Sequence, residues 1–552
     1  MGDRFGTIRH GAHSAAASAF DPVRPATAFA AALVGLLVVA VPAGYHLLGL
    51  PVAPLLAAGT GLYVLAVVVS GRPFDGLCAA LFVTVAFNVN AYPGPYPVPL
   101  VDPLLVDLLA VGVLGVALSD RALGRDHPAR AVRERVGRVR AIGGRTGRNR
   151  TVRTWRERVG ALREWLPGTD GWLVAGALAA FVGWAYLSAA VGNGPSTGAA
   201  VQYAEEHLRY LLLLAAAAVV AREADPGAVL SPLALGLVGA LVFAVDEVAA
   251  GRAGYLVNFG ALGPAVARWW PSPSPTAFPT GATVIYEGPG VGQSRATVGL
   301  AIALVGLSMA AVPRSRWRAL APVGALLGVA SVVASGSHAA IVGLYGAVGV
   351  VAVYWLSLVA ERLGGVRARR LVWPGSLAAG GAVALWAAVA VLGGADRVLF
   401  VRTNTLAIRL EQYALALELA ARYPLFGLGG GLNVHRTTGR LIHSLPLQQL
   451  AATGVPGLLA YVTAQAGAAW LAAKRLLWGR PGDRRRWAGV LAALVGVSLY
   501  SLWVVAYRWP SVNAVYWILA GAAVGGPAPS VRLADLVAHA RAALPAPLDD
   551  DS

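Results

Sequence analysis

The chain has 552 residues, of which 57% are hydrophobic and only 13% charged. Soluble globular domains carry about 25% charged residues, so an ordinary soluble fold is excluded. The formal net charge of +18 would suggest nucleic acid in a soluble protein. Here the basic residues cluster in short segments between apolar runs, as the positive-inside rule requires, and no nucleic-acid partner is expected.

In chain order, residues 1–25 form an N-terminal tail with Arg4, Arg9 and Arg24 ahead of the first apolar run. That run reads as a retained first span rather than a cleaved signal peptide. Residues 26–525 read as one all-α, polytopic membrane domain of about fourteen transmembrane helices, because apolar runs of about 20 residues recur throughout. Their centres fall approximately at residues 35, 60, 83, 109, 182, 215, 239, 304, 327, 349, 383, 461, 497 and 517. Cys78, the single cysteine, lies in an apolar run, so neither a disulfide nor a cysteine metal cluster is expected. Residues 526–552 form a C-terminal tail.

Loop charge orients the spans. The basic segment within 119–170, from Arg121 to Arg163, belongs in the cytoplasm. Counting spans from it puts Pro313–Arg318, Arg362–Arg370, Lys474–Arg486 and both termini on the same side. It places Asn193–His207, a Pro/Gly/Ser-rich loop within 250–293 and a third loop within 394–446 outside.

The third loop breaks the rule. Six arginines (Arg397, Arg402, Arg409, Arg422, Arg436 and Arg440) face three acids (Asp396, Glu411 and Glu418), on the side that topology keeps poor in arginine. Residues Thr405–Tyr423 have helical spacing, with Leu406, Leu410, Tyr413, Leu417 and Ala420 on one side. A helix on the membrane surface explains that pattern but not the arginines. Arginine pairs bidentately with phosphate oxygens, so the loop reads as a phosphate site at the membrane rim. The glycines after Pro424 read as a tight turn, since no Gly-Lys-Ser/Thr follows to make a nucleotide loop. His443 stands just before the next span. An imidazole ordinarily titrates near pH 6.5, so its neutral form can accept a proton at about neutral pH.

These residues resemble a family. Arg409-x-x-x-Tyr413 is followed by Tyr423-Pro424-Leu425-Phe426-Gly427-Leu428-Gly429-Gly430-Gly431. Then come His443-Ser444-x-x-Leu447-Gln448-x-Leu450 and Gly454-Val455-Pro456-Gly457-Leu458. In that order the pattern is similar to the external loop of the O-antigen ligase and O-antigen polymerase superfamily. Gly292-Gln293-Ser294-Arg295 resembles that family's Gly-Asn-Pro-Asn, and Ser335-Gly336-Ser337-His338-Ala339 its Thr-x-Ser-Arg-Gly. The chain departs from the family in four places. The arginine often found some nine residues before the Asn-Pro-Asn segment has no clear match, Tyr286 standing near that place. Ser444 replaces an asparagine, His338 an arginine, and Thr453 an acidic residue.

The resemblance implies a membrane glycosyltransferase with a GT-C-like helical fold. Its donor would be a glycan on a polyprenyl diphosphate or dolichyl phosphate, and its acceptor another glycan. His443 and Arg409 would be catalytic, as proton acceptor and as phosphate contact. Arg295, Tyr413, Arg402, Arg440 and His338 would bind substrate. No Asp-x-Asp motif lies in the outer segments, so no metal or other cofactor is expected. Ligase and polymerase share this loop and differ in acceptor. The alternative is a transporter or flippase of lipid-linked sugars, which would need ionisable residues near mid-membrane; Asp246 and Glu247 are the candidates.

Overall fold

The computed structural model describes residues 26–36, 73–87, 104–122, 169–249, 295–310, 320–334, 338–392, 403–439, 442–504 and 510–527, with a few positions between 59 and 67. Among the described residues the protein is helical and has no strand. We number the helices from α1 (Pro73–Phe87) and α2 (Leu104–Ala122). They continue as α3 (Thr169–Val191), α4 (Thr197–Glu223), α5 (Gly227–Ala249), α6 (Arg295–Ala310) and α7 (Leu320–Ala334). Then follow α8 (His338–Leu392), α9 (Thr403–Arg422), α10 (Gly431–Thr438), α11 (Leu445–Trp478), α12 (Arg484–Ser501) and α13 (Pro510–Gly525).

Among the described residues, three segments are long and apolar enough to cross a membrane: Gly171–Val191, Ala339–Gly365 and Leu445–Trp478. Shorter apolar helices, such as Phe74–Ala86, Gly227–Leu241 and Val512–Gly525, accompany them. α4 falls outside this set because Glu205, Glu206 and Arg209 interrupt its first half.

Small residues set the packing. Apolar side chains give little driving force between helices in lipid, so backbones must approach closely to gain dispersion contacts. Gly306 of α6 faces Gly489 of α12 so tightly that a Cβ on either would strike the other's carbonyl. Gly343 of α8 meets Gly496 of α12 in the same way, with a Cβ only 2.8 Å from the Gly496 carbonyl. Hydroxyls inside these helices are satisfied locally. Thr84, Ser308, Ser331 and Ser501 each donate to the carbonyl four residues earlier, at 2.7 to 2.8 Å, so none is left bare.

The sequence reads Arg362–Arg370 as a loop between two spans. It is a helical elbow instead. Gly365 alone, at φ 72 and ψ −167, turns the chain inside α8, a conformation reserved for glycine.

The bundle has two chemically distinct ends. At one, Arg486 pairs with Asp225 at 3.5 Å and Asp483 at 3.3 Å, and Arg484 pairs with Glu361 at 3.5 Å. Buried Arg475 donates there to the Gly526 carbonyl at 2.7 Å and the Pro527 carbonyl at 3.1 Å. The turns after α4 and α11, the elbow of α8 and the end of α13 therefore gather at one pole. Of these, the elbow of α8, the turn after α11 and the end of α13 lie in or beside segments that loop charge assigns to one side. The other pole gathers residues 191–196, 424–439, 442–443 and 502–503. α11 joins the two poles; its 34 residues would measure about 50 Å if straight.

Candidate functional site

The site pole is organised by a break in α11. Pro456 has no N–H, and Val455 gives its N–H to the Pro424 carbonyl at 2.8 Å. The carbonyls of Ala451 and Ala452, which an unbroken helix would pair with those two residues, are released. The glycine loop takes them. Leu428 N donates to Ala451 O at 3.0 Å, and Gly429 and Gly430 donate to Ala452 O at 2.9 and 3.1 Å. A gap in one helix is thus filled by the backbone of another segment, as buried polar groups require.

Two glycines make this fit. Gly454 lies at φ 72 and ψ −172, and a Cβ there would run into the Leu425 carbonyl. Gly427, at φ 58, would place a Cβ 2.6 Å from Ala451 O. The reading of these glycines as a tight turn holds. The Gly429 and Gly430 amides are engaged by the Ala452 carbonyl and the Gly427 amide by the Tyr423 carbonyl, so these three amides do not form a phosphate cradle.

α3 holds the loop from outside. Trp184 Nε1 donates to Thr453 O at 2.9 Å and to Leu425 O at 3.2 Å. Its ring stacks on Phe426 at 5.0 Å. Ser188 Oγ donates to Phe426 O at 2.6 Å. Asn433 of α10 ties the loop to the turn before α4 through Ser196 O, at 2.9 Å.

α9 lies across this pole, and its two sides differ. Gln412, Ala416, Leu419 and Ala420 are buried, whereas Leu410 is 54% and Leu417 58% exposed. Of the side expected from the spacing, Leu410 and Leu417 therefore face away from the protein, whereas Tyr413 and Ala420 turn inward. The side that packs inward is polar at its first turns. Arg409 Nη1 donates to the Trp503 carbonyl at 2.6 Å, and the guanidinium lies 5.4 Å over the Trp503 ring. Tyr413 reaches the Leu502 carbonyl at 3.4 Å. Burial pushes the Tyr413 hydroxyl above its usual range, opposed by the neighbouring Arg409 charge, so at neutral pH it is a neutral donor.

His443 meets this helix through Gln412. Its main-chain N–H lies 3.1 Å, and its Nδ1 2.9 Å, from Gln412 Oε1. Gln412 follows Arg409 by three residues and shares its face. The structure thus brings His443, Arg409 and Tyr413 to one pole. Arg295 opens α6 and His338 opens α8, but their side chains lie outside the described residues. So do Arg402 and Arg440. Arg436 and Arg422 are exposed, the latter 5.6 Å over the Tyr423 ring.

Three residues of this region carry no sequence signal. Gln412 sits in an unremarkable Arg-Leu-Glu-Gln-Tyr run. His207 and Gln449 form a closed buried ring with Tyr203. His207 Nδ1 lies 2.8 Å from Tyr203 O, and His207 Nε2 lies 3.3 Å from Gln449 Nε2. Tyr203 donates its hydroxyl to Gln449 Oε1. A backbone carbonyl can only accept, so His207 donates from Nδ1 and accepts at Nε2, as a neutral imidazole. The ring locks α4 to the first half of α11, which begins beside His443.

No protein-family model matches this sequence, and no curated protein matches it at a significant level. The site's chemistry must therefore be argued from its own residues.

Proposed function

We propose that this chain is a multi-pass membrane glycosyltransferase of about fourteen spans with a GT-C-like fold. It transfers or polymerises glycan from a polyprenyl-(di)phosphate-linked donor onto a glycan acceptor, as O-antigen ligases and polymerases do in surface polysaccharide synthesis. Both termini lie in the cytoplasm of a cell-membrane protein, and the glycine-loop pole faces outward. The observation that carries this reading is the link from His443 through Gln412 to the inward face of α9, which also bears Arg409, at the pole where the glycine loop fills the break in α11.

In this reaction the acceptor hydroxyl oxygen attacks the anomeric carbon. The bond from that carbon to the carrier phosphate breaks, and the electron pair leaves on the phosphate oxygen. His443 takes the hydroxyl proton, and Arg409 offsets the charge that develops on the phosphate. One direct displacement inverts the anomeric centre. Arg295, Arg402, Arg440, His338 and Tyr413 are the further substrate contacts assigned in this reading.

Arg409→Ala is expected to lower transfer by about 10²–10³-fold, the usual worth of one preorganised donor. Arg409→Lys should recover only part of it, because the ammonium keeps the charge and loses the fork. Transfer rates from lipid-linked donor, measured on protein that inserts normally, decide this. Undiminished transfer by Arg409→Ala would remove the residue from the site.

A transporter or flippase of lipid-linked sugars is the second reading. A different observation favours it than Asp246 and Glu247, whose side chains lie outside the described residues. Arg209 of α4 pairs with Asp107 of α2 at 3.2 Å, and His207, two residues earlier on α4, is wholly buried. Ionisable groups inside apolar helices often mark a transport path.

A further inference from the structure

We propose that Gln412 is the positioning residue of the site, fixing the His443 proton on Nδ1 and so presenting Nε2 to the acceptor hydroxyl. The inference rests on the glycosyl-transfer reading above and adds a residue to it.

The argument is one of donors and acceptors. The His443 main-chain N–H can only donate, and it points at one atom of the Gln412 amide, 3.1 Å away. That atom must therefore be the carbonyl oxygen and not the nitrogen. The same oxygen lies 2.9 Å from His443 Nδ1. An amide oxygen accepts and never donates, so Nδ1 carries the hydrogen. In a neutral imidazole the lone pair is then on Nε2.

The amide is held for this task. Gln412 is only 6% exposed, and it projects from the inward face of α9 between Arg409 and Ala416. Holding both the backbone and the ring of His443 fixes the ring's place as well as its tautomer. Because Gln412 is three residues from Arg409, it also ties the helix bearing the phosphate contact to the residue bearing the base. A neutral glutamine does this without adding a carboxylate, which would repel a phosphate-bearing donor.

The test uses full-length protein in lipid and two variants. Gln412→Leu keeps similar bulk and removes the acceptor. It should lower kcat at least tenfold with KM little changed, because an imidazole in the wrong tautomer cannot take the proton. Gln412→Glu keeps both hydrogen bonds and places a charge beside the ring. A carboxylate favours the imidazolium, which cannot accept a proton, so the acidic limb of the pH–rate profile should move up by about one unit. If Gln412→Leu retains kcat within twofold, or Gln412→Glu leaves the limb in place, the proposal is overturned. Gln412→Glu alone carries the kinetic test should the leucine variant fail to fold. Nitrogen chemical shifts of His443 give a readout independent of activity. Wild type should show the Nδ1–H tautomer, and an Nε2–H tautomer would overturn the proposal even in an active enzyme. An Nδ1–H tautomer in a protein with no transferase activity would instead sink the glycosyl-transfer reading and leave the geometry standing.

Discussion

His443→Ala is expected to lower glycan transfer by about 10²–10⁴-fold, the range that general-base help typically supplies. The protein should still fold. The substitution deletes the ring contact to Gln412 at 2.9 Å but keeps the main-chain donor at 3.1 Å. The hydrogen bond to Gln412 is worth about 1 kcal/mol, and His443 is only partly buried, so no large cavity opens. Transfer rate and thermal unfolding in detergent should therefore diverge, the first collapsing and the second barely moving. Equal losses in both would mean that the histidine serves structure and not chemistry.

Gly454→Ala should do the opposite to its neighbourhood. Gly454 and Gly365 share nearly one backbone conformation, φ 72 with ψ −172 and −167. Either alanine costs about 1–3 kcal/mol of backbone strain. Their surroundings differ. A Cβ at Gly365 meets nothing within 4 Å, whereas one at Gly454 strikes the carbonyls of Leu425 and Pro424. Carbonyls of a seated loop cannot rotate away as a side chain would. Gly454→Ala should therefore unfold at a clearly lower temperature than Gly365→Ala. It should also lose transfer, since the displaced loop precedes His443 and anchors α11. Equal unfolding temperatures would show that the glycine loop is not seated in the helix break.

The parts of this arrangement visible in the sequence are those written in composition and spacing. All-helical character follows from the apolar runs. The turn after Pro424 is spelled by its glycines. The gathering of the α8 elbow and the turn after α11 at one pole agrees with the basic charge of Arg362–Arg370 and Lys474–Arg486. Gln412 escaped because a glutamine on a helix has no pattern. Its role appears only when the start of α11 is packed against α9. The inward side of α9 was hidden for a related reason. Leu410 and Leu417 dominate its hydropathy, yet they face outward, as suits a helix lying against lipid. The reason that Gly454, Val455 and Pro456 follow one another is legible only with the loop in place. A proline and a glycine break the helix, and a distant backbone repairs it.

The central claim is tested most directly by giving purified wild-type protein, in lipid vesicles, a lipid-linked glycan together with a glycan acceptor, and following the product by gel shift and mass. The account predicts transfer of glycan from carrier to acceptor, with one addition marking a ligase and a ladder marking a polymerase. Passage of intact lipid-linked glycan between leaflets, with no acceptor modified, would contradict it and establish the transporter reading in its place.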